Sequence, residues 1–167
     1  VESFVIRPCA CTPPTLNSVI VTEATCEPPL QGLVTINLNQ NPNNYEFSWL
    51  PNLGQSIGSG HIRRGLPAGI YEVRIAQRSA ADCELIVPVA VTNTDGPDAT
   101  VSTSPATCAL NDGGATLSPP AFAYRWDDGF TGAVRNDLAA GIHPVTVTDP
   151  SDPACPNYLL VEVTASN

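Results

Sequence analysis

The sequence predicts an all-β protein in which one fold is used twice. Prolines (17) and glycines (12) interrupt the 167 residues so often that no long helix is expected. Between them lie short runs rich in Val, Ile, Thr and Tyr, in which apolar and polar side chains alternate. This period of two is typical of β-strands. Landmark motifs recur in the same order in both halves of the chain, which indicates a tandem duplication.

Four motifs carry the duplication. The separation between matched motifs falls from 82 residues at the first to 72 at the last two, so the copies differ mainly in their connecting segments. A repeat of about 75 residues with its own apolar positions has the size of one small domain. The matched motifs are Ala24-Thr25-Cys26 with Ala106-Thr107-Cys108, residues 45–49 with 124–126, residues 66–75 with 138–147, and Asp82-Cys83 with Ala154-Cys155.

Six short strands are expected in each repeat, with turns about every 8–12 residues, which is typical of an immunoglobulin-like sandwich. We therefore predict two tandem immunoglobulin-like β-sandwich domains, end to end, in residues 17–94 and 95–167. The strands are expected at 18–22, 33–38, 45–49, 61–64, 71–76 and 85–92, and at 100–103, 115–117, 123–126, 133–137, 145–148 and 158–164.

Three connecting segments have recognisable turn chemistry. The asparagine-rich stretch 37–44 is expected to be a hairpin loop, and it is a candidate partner-facing surface because the second repeat shortens it. Residues 66–71 predict a corner in which the Tyr71 hydroxyl bonds back to the backbone, and His143 takes its place in the second repeat. Residues 93–98 form a short polar boundary stiffened by a proline, so the domains are expected to stack rather than swing.

Residues 1–16 lie outside both repeats and are expected to form an N-terminal strand and connector. Residues 1–7 alternate like a strand, and the segment 8–14 is expected to be extended. The strand either ends a preceding repeat or acts as an arm that pairs with the open sheet edge of another chain. In the second case the chain would assemble head to tail into a filament.

The charge balance excludes two classes of partner. The net charge is −9, and all seven basic residues are arginine. The first repeat has six acids and four arginines, whereas the second has nine acids and two arginines. Such a surface repels phosphate groups, so neither nucleic acid nor an anionic membrane is expected as a partner. No apolar run approaches the length of a membrane span, and no membrane insertion is expected.

Six cysteines in two small domains predict stabilising disulfides and therefore an oxidising, extracellular location. Their spacing includes no pair typical of a zinc site. Repeat symmetry favours one bridge within each domain. The favoured pairs are Cys26–Cys83 and Cys108–Cys155.

A rival pairing follows from the shape of a sandwich. Its two ends are much farther apart than the ~7 Å that a disulfide spans between Cα atoms. Neighbouring ends would then be linked, with Cys26 bonded to Cys155 across the domain boundary and Cys83 bonded to Cys9 or Cys11. Cys9 and Cys11 lie outside the repeats and are candidates for an inter-domain or inter-chain bond.

One motif resembles a hydrolase site, but its context argues against that chemistry. Gly54-Gln55-Ser56-Ile57-Gly58 matches the Gly-x-Ser-x-Gly elbow, which needs a sharp strand-to-helix turn and a nearby histidine and acid. Here the motif lies in a turn of an all-β repeat, and His61 is expected on a strand surface. No catalytic residue is therefore predicted.

Acidic turns and tryptophans are the remaining candidate sites. Residues 95–98, 127–129 and 149–152 could offer carboxylates to calcium, but they lack the alternating spacing of a calcium loop, and Asp and Gly are ordinary turn formers. Trp49 and Trp126 could stack on a sugar, but their shared position on an alternating strand favours core packing. No cofactor is predicted, and calcium is the metal that remains as a candidate.

At these landmarks the chain resembles the SprB-type repeats of large surface proteins of gliding bacteria and their relatives. The pattern there runs Cys, Tyr-Ser-Trp, Leu-Ala-Ala-Gly-x-Tyr-x-Val-x-Val-x-Asp and Cys. Residues 138–149 match it closely, and residues 66–75 match slightly less well. The resemblance covers residues 17–167 and identifies a structural repeat rather than a chemistry. It implies export by the type IX route and display or release at the cell surface, and it supplies no catalytic residues.

We therefore expect a non-enzymatic extracellular protein with a structural or adhesive role, as a segment of a surface stalk, fibre or adhesin. Its expected partners are other copies of itself or neighbouring repeats, including in a filament, and a surface glycan or protein ligand. The alternative is a carbohydrate- or calcium-binding accessory module of a secreted enzyme. Further copies of the repeat motifs would favour the first reading, and an attached catalytic domain would favour the second.

Overall fold

The computed structural model describes residues 13–27, 32–51 and 60–166. Within these ranges the chain is all-β, as predicted, and one 3-10 turn at Pro42–Asn44 is the only helical element. The predictions for a strand at residues 1–7, for Cys9 and Cys11, and for the motif at residues 54–58 lie outside the described residues.

The first six strands form two three-stranded sheets, which we call the first unit. They are β1 (Leu16–Thr22), β2 (Gly32–Leu38), β3 (Tyr45–Pro51), β4 (Ile62–Leu66), β5 (Gly69–Gln77) and β6 (Ala80–Val91). One sheet has the order β1-β2-β4 and the other β3-β5-β6, and neighbouring strands are antiparallel. Each strand expected in the first repeat overlaps one of these six.

The remaining strands form the second unit. They are β7 (Thr100–Ser104), β8 (Ala106–Thr107), β9 (Gly113–Ser118), β10 (Ala123–Trp126), β11 (Val134–Leu138), β12 (Gly141–Asp149), β13 (Asp152–Val163) and β14 (Ala165–Ser166). Two antiparallel sheets have the orders β7-β9-β11 and β10-β12-β13, and β8 pairs with β14 in parallel. The second unit therefore repeats the sheet pattern of the first.

Side chains from both sheets of a unit meet in one apolar cluster, and the two clusters are separate. Alternate residues of β2 and β5, such as Ile36 and Val73, are buried in the first cluster. Leu117 of β9 and Val145 of β12 are buried in the second. Each such side chain stabilises its unit by about 1.5–3 kcal/mol relative to exposure. This arrangement is consistent with a β-sandwich in each unit.

Trp49 and Trp126 are core residues, which confirms the prediction from their position in the strands. Their side chains are 0% and 2% exposed. Each indole N–H donates to a backbone carbonyl, that of Gly60 at 2.7 Å for Trp49 and that of Gly132 at 3.0 Å for Trp126. Because both rings are enclosed and their donors are satisfied, neither is available to stack on a sugar.

The predicted corner is confirmed. The Tyr71 hydroxyl donates to the Pro67 carbonyl at 2.7 Å. In the second unit, Nε2 of His143 lies 2.9 Å from the Ala139 carbonyl, so the same connection is made with a different side chain. A carbonyl only accepts, so this bond requires the tautomer that carries its proton on Nε2.

Both units close with the same parallel contact, which defines equivalent positions at their ends. The Ala24 N–H donates to the Thr92 carbonyl at 2.8 Å, and the Ala106 N–H donates to the Thr164 carbonyl at 2.9 Å. A hydroxyl follows in each case, since Thr94 Oγ1 donates to Ala24 O at 3.2 Å and Ser166 Oγ donates to Ala106 O at 3.1 Å. Thr94 thus corresponds to Ser166, and Asn93 to Ala165.

The asparagine-rich stretch 37–44 is not a hairpin loop, contrary to the prediction. It connects β2 of one sheet to β3 of the other, so it crosses between layers instead of joining neighbouring strands. Its polar groups support this crossing. Asn41 caps the 3-10 turn by accepting from the Asn43 N–H at 3.0 Å, and the Arg78 side chain donates to the Asn43 carbonyl at 3.1 Å.

Candidate functional site

A disulfide joins the two units. Cys26 follows the closing contact of the first unit, and Cys155 lies on β13 of the second unit. Their Cα atoms are 5.4 Å apart, although 129 positions separate them in the sequence. The junction between the units is therefore covalent, and we take it as the candidate functional site.

The in-repeat pairing of Cys26 with Cys83 is wrong, and the geometry of β6 explains why. Asn93 lies two residues after the last residue of β6 and forms a parallel bridge with Ala24. Cys26, two residues after Ala24, therefore lies near the C-terminal end of β6. Cys83 lies near the start of the same strand. The ten residue-to-residue steps from Cys83 to Asn93 cover about 30 Å in an extended strand, far beyond the reach of a disulfide.

The other predicted in-repeat bond is also corrected. The predicted pair was Cys108–Cys155, but Cys155 is disulfide-bonded to Cys26, and Cys108 is a free, exposed cysteine. Cys83 is itself disulfide-bonded and only 2% exposed. Repeat symmetry placed the cysteines at equivalent positions correctly, but it assigned them the wrong partners.

Two asparagines reinforce the junction. The Asn93 N–H donates to Asn157 Oδ1 at 3.0 Å, and Asn157 Nδ2 donates back to the Asn93 carbonyl at 3.4 Å. Asn93 Nδ2 also donates to the Pro156 carbonyl at 2.7 Å. The two residues are 7% and 9% exposed. Buried polar groups destabilise a protein unless they are paired, so these bonds fix one relative position of the units.

The corner of the first unit forms one side of this junction. Pro67 and Ala68 line a groove of ≈ 220 Å³ together with Tyr158 of β13. Burial raises the pKa of Tyr71, and the charge of the nearby Tyr158 phenolate raises that pKa further. The strand that carries Cys155 and Asn157 therefore also places Tyr158 against the corner.

Position 96, in the segment that connects the two units, is crowded for any residue larger than glycine. A Cβ atom there would lie 3.1 Å from Asn93 Cβ and 3.3 Å from Asn157 Cβ, which is tighter than most Cβ contacts. The Gly96 N–H also donates to the Asn93 carbonyl at 3.3 Å. The turn between the units is thus packed against the asparagine pair.

Of the hydrolase-like motif and the histidine near it, the structure describes only His61. Ser56 lies outside the described residues. The His61 ring is 6.0 Å from the Phe47 ring, centroid to centroid, and makes no hydrogen bond to a carboxylate within the described ranges. The His61 carbonyl accepts from the Ile36 N–H at 2.8 Å, which is an ordinary strand contact.

The acidic turns use their carboxylates locally. Asp128 accepts from the Phe130 N–H at 3.0 Å and from Arg135 Nη1 at 2.9 Å, and these two bonds hold the Asp128 pKa below its usual value. Asp149 accepts from the Ser151 hydroxyl and N–H at 2.7 and 2.8 Å, with the same effect on its pKa. In the described part of the chain, no three His, Cys, Asp or Glu side chains are grouped as metal ligands would be.

Sequence reasoning missed two side chains that matter for these contacts. Asn157 stands in a strand with no motif around it, and its partner is distant in sequence. Arg135 is 7% exposed, and its guanidinium lies 4.5 Å from the Phe130 ring and 5.4 Å from the Trp126 ring. Asp137 and Asp128 pair with it. No motif marks either residue: Asn157 meets a segment that is distant in sequence, and Arg135 depends on how the turn between β10 and β11 folds over it.

Comparison with protein-family models finds no match to this chain, and comparison with curated proteins finds none either. In the described residues, no helix is both long enough and apolar enough to cross a membrane. The functional argument therefore depends on the junction.

Proposed function

We propose that this chain is a non-enzymatic extracellular protein with a structural or adhesive role, serving as a load-bearing segment of a surface stalk, fibre or adhesin. The two units are two tandem immunoglobulin-like β-sandwich domains. The corner at Tyr71 supports this assignment, because a tyrosine that bonds back to the backbone is a hallmark of that fold. The observation that carries the proposal is the disulfide between the domains.

The position of this disulfide determines how tension crosses the molecule. Force applied at the two ends of the chain passes from Cys26 directly to Cys155, which lie 129 positions apart. The residues between them are shielded, since the S–S bond is the shorter path. Fully extended, that segment would measure about 430–460 Å. Most residues of both apolar clusters lie inside the shielded stretch, whereas Ala24, Val161 and Val163 lie outside it, so tension acts first on the strands at the two ends.

The non-covalent contacts make the junction stiff as well as strong. Asn93 and Asn157 bond each other in both directions. Tyr158 lies in the groove beside Pro67 and Ala68. A short connection packed between two such contacts behaves as a spacer of fixed length rather than as a flexible linker. A stalk or fibre needs this property, whereas an accessory module on a flexible tether does not.

The chemistry of the chain supports an extracellular location. Disulfides persist in oxidising environments, and cytosolic proteins rarely keep them. Both Cys26–Cys155 and the bond at Cys83 are buried or partly buried structural bonds. Export by the type IX route follows from the resemblance to SprB-type repeats and is part of the proposal.

The contacts of the candidate site residues favour a non-enzymatic role. Trp49 and Trp126 are enclosed in the cores, and Asp128 and Asp149 cap their own turns. These four side chains are thus already engaged within the fold.

Single-molecule force extension tests the load-bearing role. The oxidised chain, held at its two ends, should extend only by the residues outside the shielded segment. Reduction, or the double variant Cys26→Ser/Cys155→Ser, should release a further ~430–460 Å as the domains unfold. Cys108→Ser is the matched control, because it removes a thiol without touching this bond. Equal extension of the oxidised and reduced chains would refute the proposal.

A further inference from the structure

We propose that the far end of the second unit docks a further β-sandwich unit of the same type as the second, and that Cys108 bonds that unit through a disulfide. The partner unit carries a cysteine and, two residues later, an asparagine, as β13 does at Cys155 and Asn157. The proposal rests on the proposed structural function and specifies its partner. The docking surface, which we call the distal surface, consists of Thr107, Cys108, Ala139, Ala140 and Ala165.

The distal surface corresponds residue by residue to a surface that already binds a unit of this type. The repeat motifs align its first four residues, and the identical closing contacts align the fifth, with residues of the first unit that line the groove beside β13. Those residues are Thr25, Cys26, Pro67, Ala68 and Asn93. The second unit therefore presents at its own end the surface that the first unit uses at the internal junction.

The two surfaces differ in what covers them. Asn93 is 7% exposed and Cys26 is partly buried, whereas Ala165 and Cys108 are exposed. The second repeat has nine acids, yet none of the five residues of the distal surface is charged. The centre of a protein interface is typically depleted of charged side chains. An uncharged end on an acidic unit thus has the character of an interface rather than of an ordinary solvent-exposed surface.

The backbone of Ala165 offers the groups that Asn93 uses at the internal junction. Asn157 bonds the N–H and the carbonyl of Asn93, and both are main-chain groups. Ala165 pairs with Ala106 as Asn93 pairs with Ala24. The residues on either side of Ala165 make the bonds to β8, so its own N–H and carbonyl point away from β8. An asparagine of the partner unit can therefore bond Ala165 in both directions.

The turn that carries Cys108 is held in one conformation. The Leu110 N–H donates to the Thr107 carbonyl at 2.9 Å, and Ala109 between them has a φ of 63°, which non-glycine residues rarely adopt. Asp112 secures the turn by accepting from the N–H and the hydroxyl of Thr107 at 2.6 and 2.7 Å. Strained residues that their surroundings hold in place cluster at functional sites. A thiol on a preorganised turn loses less entropy when a partner docks.

The described strands of this chain do not supply the partner. β13 is already docked at the internal junction through Cys155 and Asn157. β6, its counterpart in the first unit, has Leu85 at the position of Asn157, and leucine has no amide group that could bond Ala165. The partner is therefore an additional unit whose last long strand has the pattern of β13.

The covalent step oxidises two thiols, and a small-molecule disulfide such as glutathione disulfide is the oxidant. The Cys108 thiolate attacks this disulfide, one glutathione thiolate leaves, and a mixed disulfide forms. The cysteine of the partner unit then attacks the Cys108 sulfur as a thiolate, and the second glutathione thiolate leaves. The two cysteines lose two protons and two electrons, and glutathione disulfide gains both as two thiols.

An extended chain, in which residues 96–167 are repeated directly after Asn167, tests the proposal. Residues 165–167 then take the positions of residues 93–95, so a third unit follows the second in the register of the internal junction. The extended chain is equilibrated in a glutathione redox buffer, alkylated and digested after arginine. Arg135 is the last basic residue, so the repeated Cys155 lies in the C-terminal peptide and is distinguished from the original one.

We expect Cys108 to be linked to the repeated Cys155, with Cys26 still linked to the original Cys155. The second link shows that the first two units remain folded. Cys83 shares its arginine peptide with Cys108, so Cys108→Ser must abolish the new link if Cys108 is the residue bonded.

A substitution in the distal surface separates docking from random encounter of thiols. Ala140→Arg keeps the thiol but places a large charged side chain in the surface. The effective concentration of the two thiols should fall at least about tenfold, which corresponds to ~1.4 kcal/mol. Ser102→Arg on β7, also at an exposed position, is the matched control and should leave this concentration unchanged.

Hydrogen exchange tests the contact without the disulfide. In the Cys108→Ser form of the extended chain, the Ala165 N–H should exchange at least about fivefold more slowly than in the 167-residue chain, because the repeated Asn157 accepts from it. Asn157→Ala in the repeated unit should abolish this protection.

Three results would overturn the proposal. They are a Cys108 that remains unlinked to the repeated Cys155, a link that forms equally well with Ala140→Arg, and an Ala165 N–H that exchanges at the same rate in both chains. None of these results alters the shielding by Cys26–Cys155, so failure here is distinguishable from failure of the load-bearing role.

Discussion

The ends of the two units differ in what covers them, although they are built alike. In each unit, the alanine of the Ala-Thr-Cys motif bonds the backbone of the residue that follows the last long strand. At the first end, Cys26 bonds the next unit and Asn93 is buried against it. At the second end, Cys108 and Ala165 are exposed. Repeat symmetry therefore predicts equivalent positions, but the neighbour of each position decides its bonds.

The largest expected loss of stability comes from removing a core tryptophan, and it tests whether the two cores unfold independently. Trp49→Ala and Trp126→Ala should each destabilise their own unit by about 3–5 kcal/mol, because each removes a buried ring. The chain has two tryptophans, so each variant keeps one as a fluorescent reporter of the other unit. In urea, Trp126 fluorescence of Trp49→Ala should change near its wild-type midpoint, while far-UV circular dichroism shows earlier loss of strand. Loss of both signals at the same urea concentration would show that the cores are one cooperative unit.

The next prediction compares the stability lost on removing the disulfide of Cys26 with that lost on removing the thiol of Cys108, its counterpart in the second unit. Removing the junction bond with Cys26→Ser/Cys155→Ser should lower the free energy of unfolding by about 2–5 kcal/mol, because the disulfide restricts the unfolded chain. Cys108→Ser alters an exposed side chain and should change stability by less than about 0.5 kcal/mol. Chemical denaturation of both variants measures the difference. Similar losses in the two variants would contradict the assignment of Cys26 and Cys108 to different roles.

A smaller effect is expected from the asparagine pair. Asn157→Ala should cost about 1–3 kcal/mol, because it leaves the buried N–H of Asn93 without its acceptor. Asn136→Ala, at an exposed position on β11, is the matched control and should cost less than about 0.5 kcal/mol. Thermal unfolding of the two variants compares them directly. An equal effect would mean that the polar contacts do not hold the junction.

The smallest effect distinguishes the units by their response to acid. Four carboxylates of the second unit have pKa values below the usual 3.8, owing mainly to hydrogen bonds from neighbouring groups. They are Asp112, Asp128, Asp137 and Asp149. A carboxyl whose folded pKa is lowered stabilises the fold above its unfolded pKa, and that stability is lost as pH falls through the folded pKa.

The second unit should therefore lose stability below about pH 4 more steeply than the first. Trp126 and Trp49 report on the two units separately in the single-tryptophan variants Trp49→Phe and Trp126→Phe. Acid titration followed by fluorescence measures both. A first unit that unfolds at the higher pH would contradict this account of the carboxylates.

The sequence predicted the features that depend on short-range patterns. Alternating residues located the described strands except the two-residue strands β8 and β14, and the shared position of Trp49 and Trp126 placed both in the cores. The Tyr71 corner followed from a local motif with a known turn geometry. These predictions were correct because a strand or a corner is determined by residues that are close together in the chain.

The missed features depend on which segments meet in space. The stretch 37–44 has the composition of a hairpin loop, yet it crosses between sheets, since composition does not reveal which strands pair. Asn157 and Arg135 look like ordinary strand residues until their partners are known. The length of a sandwich had already given Cys26–Cys155 as the rival pairing, but preferring it to Cys26–Cys83 required the bounds of β6 and the order of the units. Periodicity carries none of this information.

Disulfide mapping of the unreduced monomer tests the central claim most directly. The protein is alkylated before digestion, and the linked peptides are identified by mass spectrometry. The account predicts a Cys26–Cys155 peptide together with an alkylated Cys108. Peptides linking Cys26 to Cys83 and Cys108 to Cys155 would contradict it, because each unit would then be closed on itself and the junction would not be covalent.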